Sequence, residues 1–231
     1  MARRIDTGAT DVKPPRDQQL RLAQDAAVLR AVLDREVKDT VPVEEVRRPL
    51  LVALCGLPGT GKSHFARELV KRVPMLVLET DRLRKILVPK PKYRPGEHRR
   101  VFRVCYSLIE EYIAKGHRVL FDATNLTEDF RQPLYQIAER TEAQLVLVGF
   151  TAPSLVVKER LAARQSGQDI SGFSDATWVI HSRMRPFEEP ILRDHLMVDS
   201  SQDITGSLDR VVDMISSGHD PNARSQIMSS K

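Results

Sequence analysis

The chain has 231 residues, 41% hydrophobic and 29% charged, with two cysteines and a formal net charge of +5. That length suits one domain with additions and buries a core large enough to need neither disulfides nor structural metal. The balance excludes collagen, low-complexity polymer and wholesale disorder, and no apolar run approaches the roughly eighteen residues that span a bilayer.

Residues 1–15 are polar, carry Pro14-Pro15 and read as a tail. No apolar stretch follows Arg3 and Arg4, so no secretory signal is read and the expected setting is cytoplasmic. From Arg16 to Lys38, Leu22, Ala26, Leu29, Leu33 and Val37 recur at steps of three and four, the stripe of an amphipathic helix. Residues 1–49 therefore read as a tail and a helical extension, docking on the domain that follows or offering a contact to a partner or second copy. Pro42 and Pro49 flank a charged connector, Glu44 to Arg48.

A regular alternation then begins. Leu50–Cys55 is a continuous apolar run before a Gly-rich turn, as in a buried parallel strand. Gly61–Arg72 follows as a helix, Met75–Leu78 as a second strand and Arg82–Val88 as a short helix. Val101, Val104, Cys105, Leu108 and Tyr112 share one face of a helix over Glu97–Lys115, which Gly116 ends. Val119–Phe121 is the third strand. Thr127 opens a helix to Arg140 in which Pro133 predicts a late start or a kink. Leu145–Phe150 is the fourth strand, Pro153–Arg164 a helix, and Ser166–Phe173 a polar loop. Ser174–Phe187 is read as a helix, His195–Val198 as the fifth strand and Ile204–Ser216 as the last helix. From Gly218 onward the sequence reads as a disordered tail, leaving a domain over 50–217. Cys55 and Cys105 sit among apolar neighbours and read as small buried hydrophobes. The fold expected is α/β, a five-stranded parallel sheet sandwiched by helices, with ligands at the carboxyl edge of the strands.

The strongest chemical signal is Gly56-Leu57-Pro58-Gly59-Thr60-Gly61-Lys62-Ser63, which matches G-x-x-x-x-G-K-[ST] between a strand and a helix. Glycines let backbone N–H groups turn inward around phosphate oxygens, and the helix beyond aims its positive end at the anion. Lys62 supplies charge for the β- and γ-phosphates, and the Ser63 hydroxyl is a ligand for Mg²⁺. ATP with Mg²⁺ is the expected bound species. Asp122, at the end of the third strand, fits the magnesium shell or an Asx turn. Asp81, just past the second strand, fits a proton acceptor for an attacking hydroxyl or a helix N-cap. Arg160 and Arg164 are four residues apart on one helix face, where guanidinium groups suit a transferring phosphoryl group.

Together Gly56–Ser63, Asp81-Arg82-Leu83-Arg84 (D-x-x-R), Asp122-Ala123-Thr124-Asn125-Leu126 (D-x-T-N-L), Arg160 and Arg164 resemble the P-loop kinase family typified by the 5′-kinase domain of phage polynucleotide kinase. The resemblance spans about Leu50 to Ser216 and implies a nucleoside-kinase-like fold with an arginine-bearing lid. It implies that Asp81 is the general base, that Arg84 binds the acceptor through a phosphate beside the reacting sugar, and that Asp122 organises the Mg²⁺ shell. Arg164, with Arg160, would be the lid arginine on the transferring group. Of 36 Lys/Arg and 31 Asp/Glu, nine cations and one acid fall within Arg82–Arg103. That basic segment is read as a track for a single-stranded nucleic-acid end, with Arg99, Arg100 and Arg103 extending it. The expected activity is phosphoryl transfer from ATP to a hydroxyl, foremost a polynucleotide 5′-OH. The rival acceptors are a sugar nucleotide, an antibiotic or an alcohol, and a non-catalytic ATPase switch is the rival of another class.

Overall fold

Six consecutive buried residues form the central strand β1 (Leu50–Cys55), and their side chains divide between two cores. Leu51 and Ala53 face one cluster while Leu50, Val52 and Leu54 face the other, the period of two that a pleated strand imposes. The computed structural model describes residues 15–40, 49–91, 94–167 and 173–217. Around β1 lie β2 (Leu76–Glu79), β3 (Arg118–Asp122), β4 (Gln144–Thr151) and β5 (Leu196–Asp199), in the order β2-β3-β1-β4-β5 with every pair parallel. Helices α2 (Lys62–Arg72) and α8 (Thr205–Ser217) cover one face through Phe65, Leu69, Leu208 and Val211. Helices α3 (Thr80–Leu87), α4 (Pro95–Ala114) and α5 (Glu128–Arg140) cover the other through Leu83, Leu108 and Leu134. Helices α6 (Ser154–Gln165) and α7 (Trp178–Met184) join β4 to β5, with a 3₁₀ turn at Arg185–Phe187. The α/β sandwich read from the sequence is the fold observed. No helix among the described residues is long and apolar enough to cross a membrane.

Helix α1 (Arg16–Thr40) spends its apolar stripe within the chain: Ala26, Leu29 and Leu33 are buried in the α3–α4–α5 core. Its polar side chains do the same. Asp25 receives Arg100 through two hydrogen bonds of 2.6 Å, Arg30 grips Glu111 at 2.7 and 2.8 Å, and Asp34 accepts the Tyr112 hydroxyl at 2.7 Å. Glu36 pairs with Arg82. These contacts pair part of the basic segment 82–103 within the chain. Arg82 and Arg100 are neutralised by α1, Arg84 by Glu97 at 3.1 Å and Lys85 by Asp175 at 2.7 Å. Lys90, Arg94, Arg99 and Arg103 are exposed; Lys92 and Tyr93 lie outside the described residues.

Because Leu33 is fully buried, Leu33→Ala should cost about 2–5 kcal/mol by urea denaturation, whereas Leu20→Ala, at a site 62% exposed, should stay within about 0.5 kcal/mol. Equal, small effects would mean that α1 is not docked.

Several boundaries differ from expectation for local reasons. Helix α4 starts two residues early because Pro95 takes its first position, where a missing N–H costs nothing. Helix α5 neither starts late nor breaks at Pro133, which lies inside it. Helix α7 starts four residues late, where the Thr177 side chain caps it by accepting the Ile180 N–H at 3.3 Å, and it gives way to the 3₁₀ turn after Met184. Cys55 and Cys105 are buried, which pushes both thiols up to about 12. All but the last residue of the expected tail 1–15, the connector Glu44–Arg48, the centre of the expected loop (168–172) and the expected tail from Gly218 onward lie outside the described residues.

Candidate active site

The loop Gly56–Gly61 leaves the end of β1 and turns into the N-terminus of α2, at the carboxyl edge of the sheet. The segment after β3 staples its entry: Gly56 N–H donates to the Thr124 carbonyl at 2.8 Å, and the buried Asn125 amide donates to the Leu54 carbonyl at 2.8 Å. The second bond gives the Asn of the D-x-T-N motif a structural role beside the phosphate loop. At the exit, Gly61 has φ 91°, and a Cβ there would lie 2.7 Å from the Ser200 Oγ, so only glycine fits. Inside, the Thr60 hydroxyl and the Lys62 ammonium both donate to the Leu57 carbonyl, at 2.8 and 2.9 Å.

Lys62 is buried, and burial lowers its pKa while the carboxylates of Asp122 and Asp81 oppose that shift. Asp122 is 4% exposed. Burial raises its pKa; the Lys62 ammonium and a hydrogen bond from the Ser63 hydroxyl pull it back. Ser63 and Asp122 thus present two hard oxygen donors side by side next to the phosphate loop, a donor set that suits Mg²⁺. The Thr80 hydroxyl donates to the Asp122 carbonyl at 3.3 Å, tying β3 to the start of α3.

Asp81 lines the same pocket from the first turn of α3. It is not the N-cap; Glu79 holds that position. Arg84, one turn on, also lines the pocket, with its guanidinium bonded to Glu97 and to His98 Nδ1 at 3.1 Å. An arginine only donates, so His98 accepts at Nδ1, and burial beside Arg84 holds it neutral by lowering its pKa to about 4.

Arg164 faces the pocket and Arg160 does not. Arg160 donates to the Ser200 hydroxyl and carbonyl at 2.8 and 2.7 Å and reaches the Gly59 carbonyl at 3.5 Å. Of the two arginines expected at the transferring group, Arg164 lines the pocket and Arg160 ties the phosphate loop to the β5–α8 turn. Of the expected loop residues, Pro58, Gly59, Gly61, Lys62 and Ser63 line the pocket, while Gly56, Leu57 and Thr60 shape the turn behind it.

Glu79 was missed. It ends β2 opposite Asp122 in the ladder and lines the pocket beside Asp81. Burial and the carboxylates of Asp122 and Asp81 push it up to about 7, partly offset by Arg82 and by a hydrogen bond from the Phe173 N–H. The rule that pointed to Asp122, a carboxylate at the carboxyl end of a strand, applies equally to Glu79. Thr80, His98 and Ser174 also line the pocket and were missed; for His98 and Ser174 no comparable signal exists.

The profile of a family described as an AAA domain matches residues 51–186, more than half of the chain. Among solved structures, the APS kinase of Mycobacterium tuberculosis in complex with AMPPNP and APS is similar, at 18% identity and TM-score 0.55, covering 73% of this chain and 98% of its own. A putative kinase from Chloroflexus aurantiacus aligns at 16% identity and TM-score 0.57, over 76% of this chain and 100% of its own. A gluconokinase from Sinorhizobium meliloti aligns at 17% identity and TM-score 0.53, over 79% and 98%. At these identities the likeness is one of fold.

Proposed function

Starting from the fact that the chain belongs to this AAA domain family, we propose that it is an ATP- and Mg²⁺-dependent phosphotransferase acting on a hydroxyl acceptor. One observation carries the reading: Asp81 and Arg84 share a single pocket with Lys62, Arg164 and the hydrogen-bonded Ser63–Asp122 pair. Nucleotide-site groups alone would suit a switch. A carboxylate and a guanidinium on the far wall supply what an acceptor needs.

In this reading the phosphate loop and the α2 N-terminus hold the phosphates, and Lys62 and Arg164 neutralise charge on the transferring group. Magnesium held by Ser63 and Asp122 would offset charge on the phosphate oxygens. Asp81 accepts the proton of the acceptor hydroxyl as its oxygen approaches phosphorus. Arg84, pre-set by Glu97 and His98, contacts an anionic group on the acceptor.

The internal ion pairs of Arg82, Lys85 and Arg100 favour a compact acceptor with one anionic group over a long strand tracked along α3 and α4. The exposed Lys90, Arg94, Arg99 and Arg103 favour a second reading, a polynucleotide 5′-OH end. Incubation with γ-labelled ATP and a panel of D-gluconate, glycerol and 5′-OH oligonucleotides separates them. Label is expected on an acid-bearing alcohol. Label on the oligonucleotide alone, lost with rising salt, would put the second reading first, and hydrolysis without transfer to any acceptor would leave only a nucleotide switch. For whichever acceptor is labelled, Arg84→Ala should raise the acceptor KM at least about tenfold and leave the KM for ATP unchanged.

A further inference from the structure

His181 lies outside every motif described above, yet it reaches the centre of the phosphate loop. It is buried on α7, and its Nδ1 sits 2.8 Å from the Pro58 carbonyl oxygen. A carbonyl only accepts, so Nδ1 carries the proton. The contact fixes more than one atom. The peptide between Pro58 and Gly59 is trans and planar, so its C=O and N–H leave on opposite edges. Holding the Pro58 carbonyl toward α7 therefore turns the Gly59 N–H away from α7, and both residues line the pocket. Proline at 58 gives the loop no N–H of its own at that point, which leaves its carbonyl as the handle.

The imidazole is itself held. It stacks on Trp178 with ring centres 5.1 Å apart and planes 12° from parallel, and the Lys158 ammonium lies 5.5 Å from the centre of the indole. We propose that His181 is a positioning residue that sets the phosphate loop for nucleotide, and that the Trp178 stack registers when the loop is occupied. The inference rests on the nucleotide-binding reading given above.

The chain has one tryptophan, so intrinsic emission reports Trp178 alone. Full-length protein titrated with AMPPNP and Mg²⁺ should show a saturable change in that emission, with Kd measured in parallel by calorimetry. H181F keeps a flat ring on the indole but loses the donor, and its Kd should rise at least about tenfold. H181N places a side-chain N–H near the position of Nδ1, and its Kd should stay within about threefold of the wild-type value. Should H181F fail to fold, H181L against H181N makes the same comparison. H181F or H181L with native affinity, H181N as weak as either, or emission unmoved by saturating nucleotide overturns the proposal while the nucleotide reading stands. Wild-type protein that binds no AMPPNP overturns both.

Discussion

Replacing Lys62 by alanine should reduce phosphoryl transfer on the order of 10³-fold while the protein stays folded. The side chain is buried, its ammonium donates to the Leu57 carbonyl, and it belongs to neither apolar core, so removing it leaves both cores intact. What disappears is a cation in a site where burial excludes screening water, between the phosphate loop and the carboxylates of Asp122 and Asp81. Circular dichroism should match the wild type, and single-turnover transfer of labelled phosphate should be near background. Turnover close to native would remove Lys62 from the chemistry; a molten variant would make its role structural.

The two aspartates should fail differently. Asp81→Asn removes a proton acceptor and should lower kcat on the order of 10²–10⁴-fold with little change in the KM for ATP. Asp122→Asn alters the partner of the Ser63 hydroxyl and should raise the Mg²⁺ concentration needed for half-maximal rate. Titrating Mg²⁺ against each variant gives the assignment. Recovery of Asp81→Asn at high Mg²⁺, with no recovery of Asp122→Asn, would reverse the two roles.

The sheet was legible because each strand carries at least three consecutive apolar residues, and the phosphate loop because its spacing is dictated by the anion it surrounds. The acidic residues of the site were partly legible: Asp122 at the end of β3 and Asp81 in the first turn of α3 stood out, whereas Glu79, at the end of β2, hid beside them. Arg160 and Arg164 show the limit of helical spacing. Four residues place two side chains on one face without saying that one meets the pocket and the other meets Ser200. The pairing within the basic segment was hidden for a related reason. Its countercharges, Asp25 and Glu36, lie more than forty residues upstream, and only the docking of α1 brings them to Arg100 and Arg82. His181 gave no signal, since nothing in sequence links position 181 to the carbonyl of residue 58.

The docking of α1 also separates two boundaries that are easily taken as one. The family profile begins at residue 51, at the first residues of β1, but the packed body begins with α1. Kinship in sequence therefore starts inside the fold rather than at its edge. A recombinant fragment cut where the resemblance begins would keep every residue assigned to chemistry here. It would also strip Ala26, Leu29 and Leu33 from a shared core and leave Arg82 and Arg100 without their carboxylates. Such a fragment would be sticky and poorly behaved, and its inactivity would be misread as a fault of the active site.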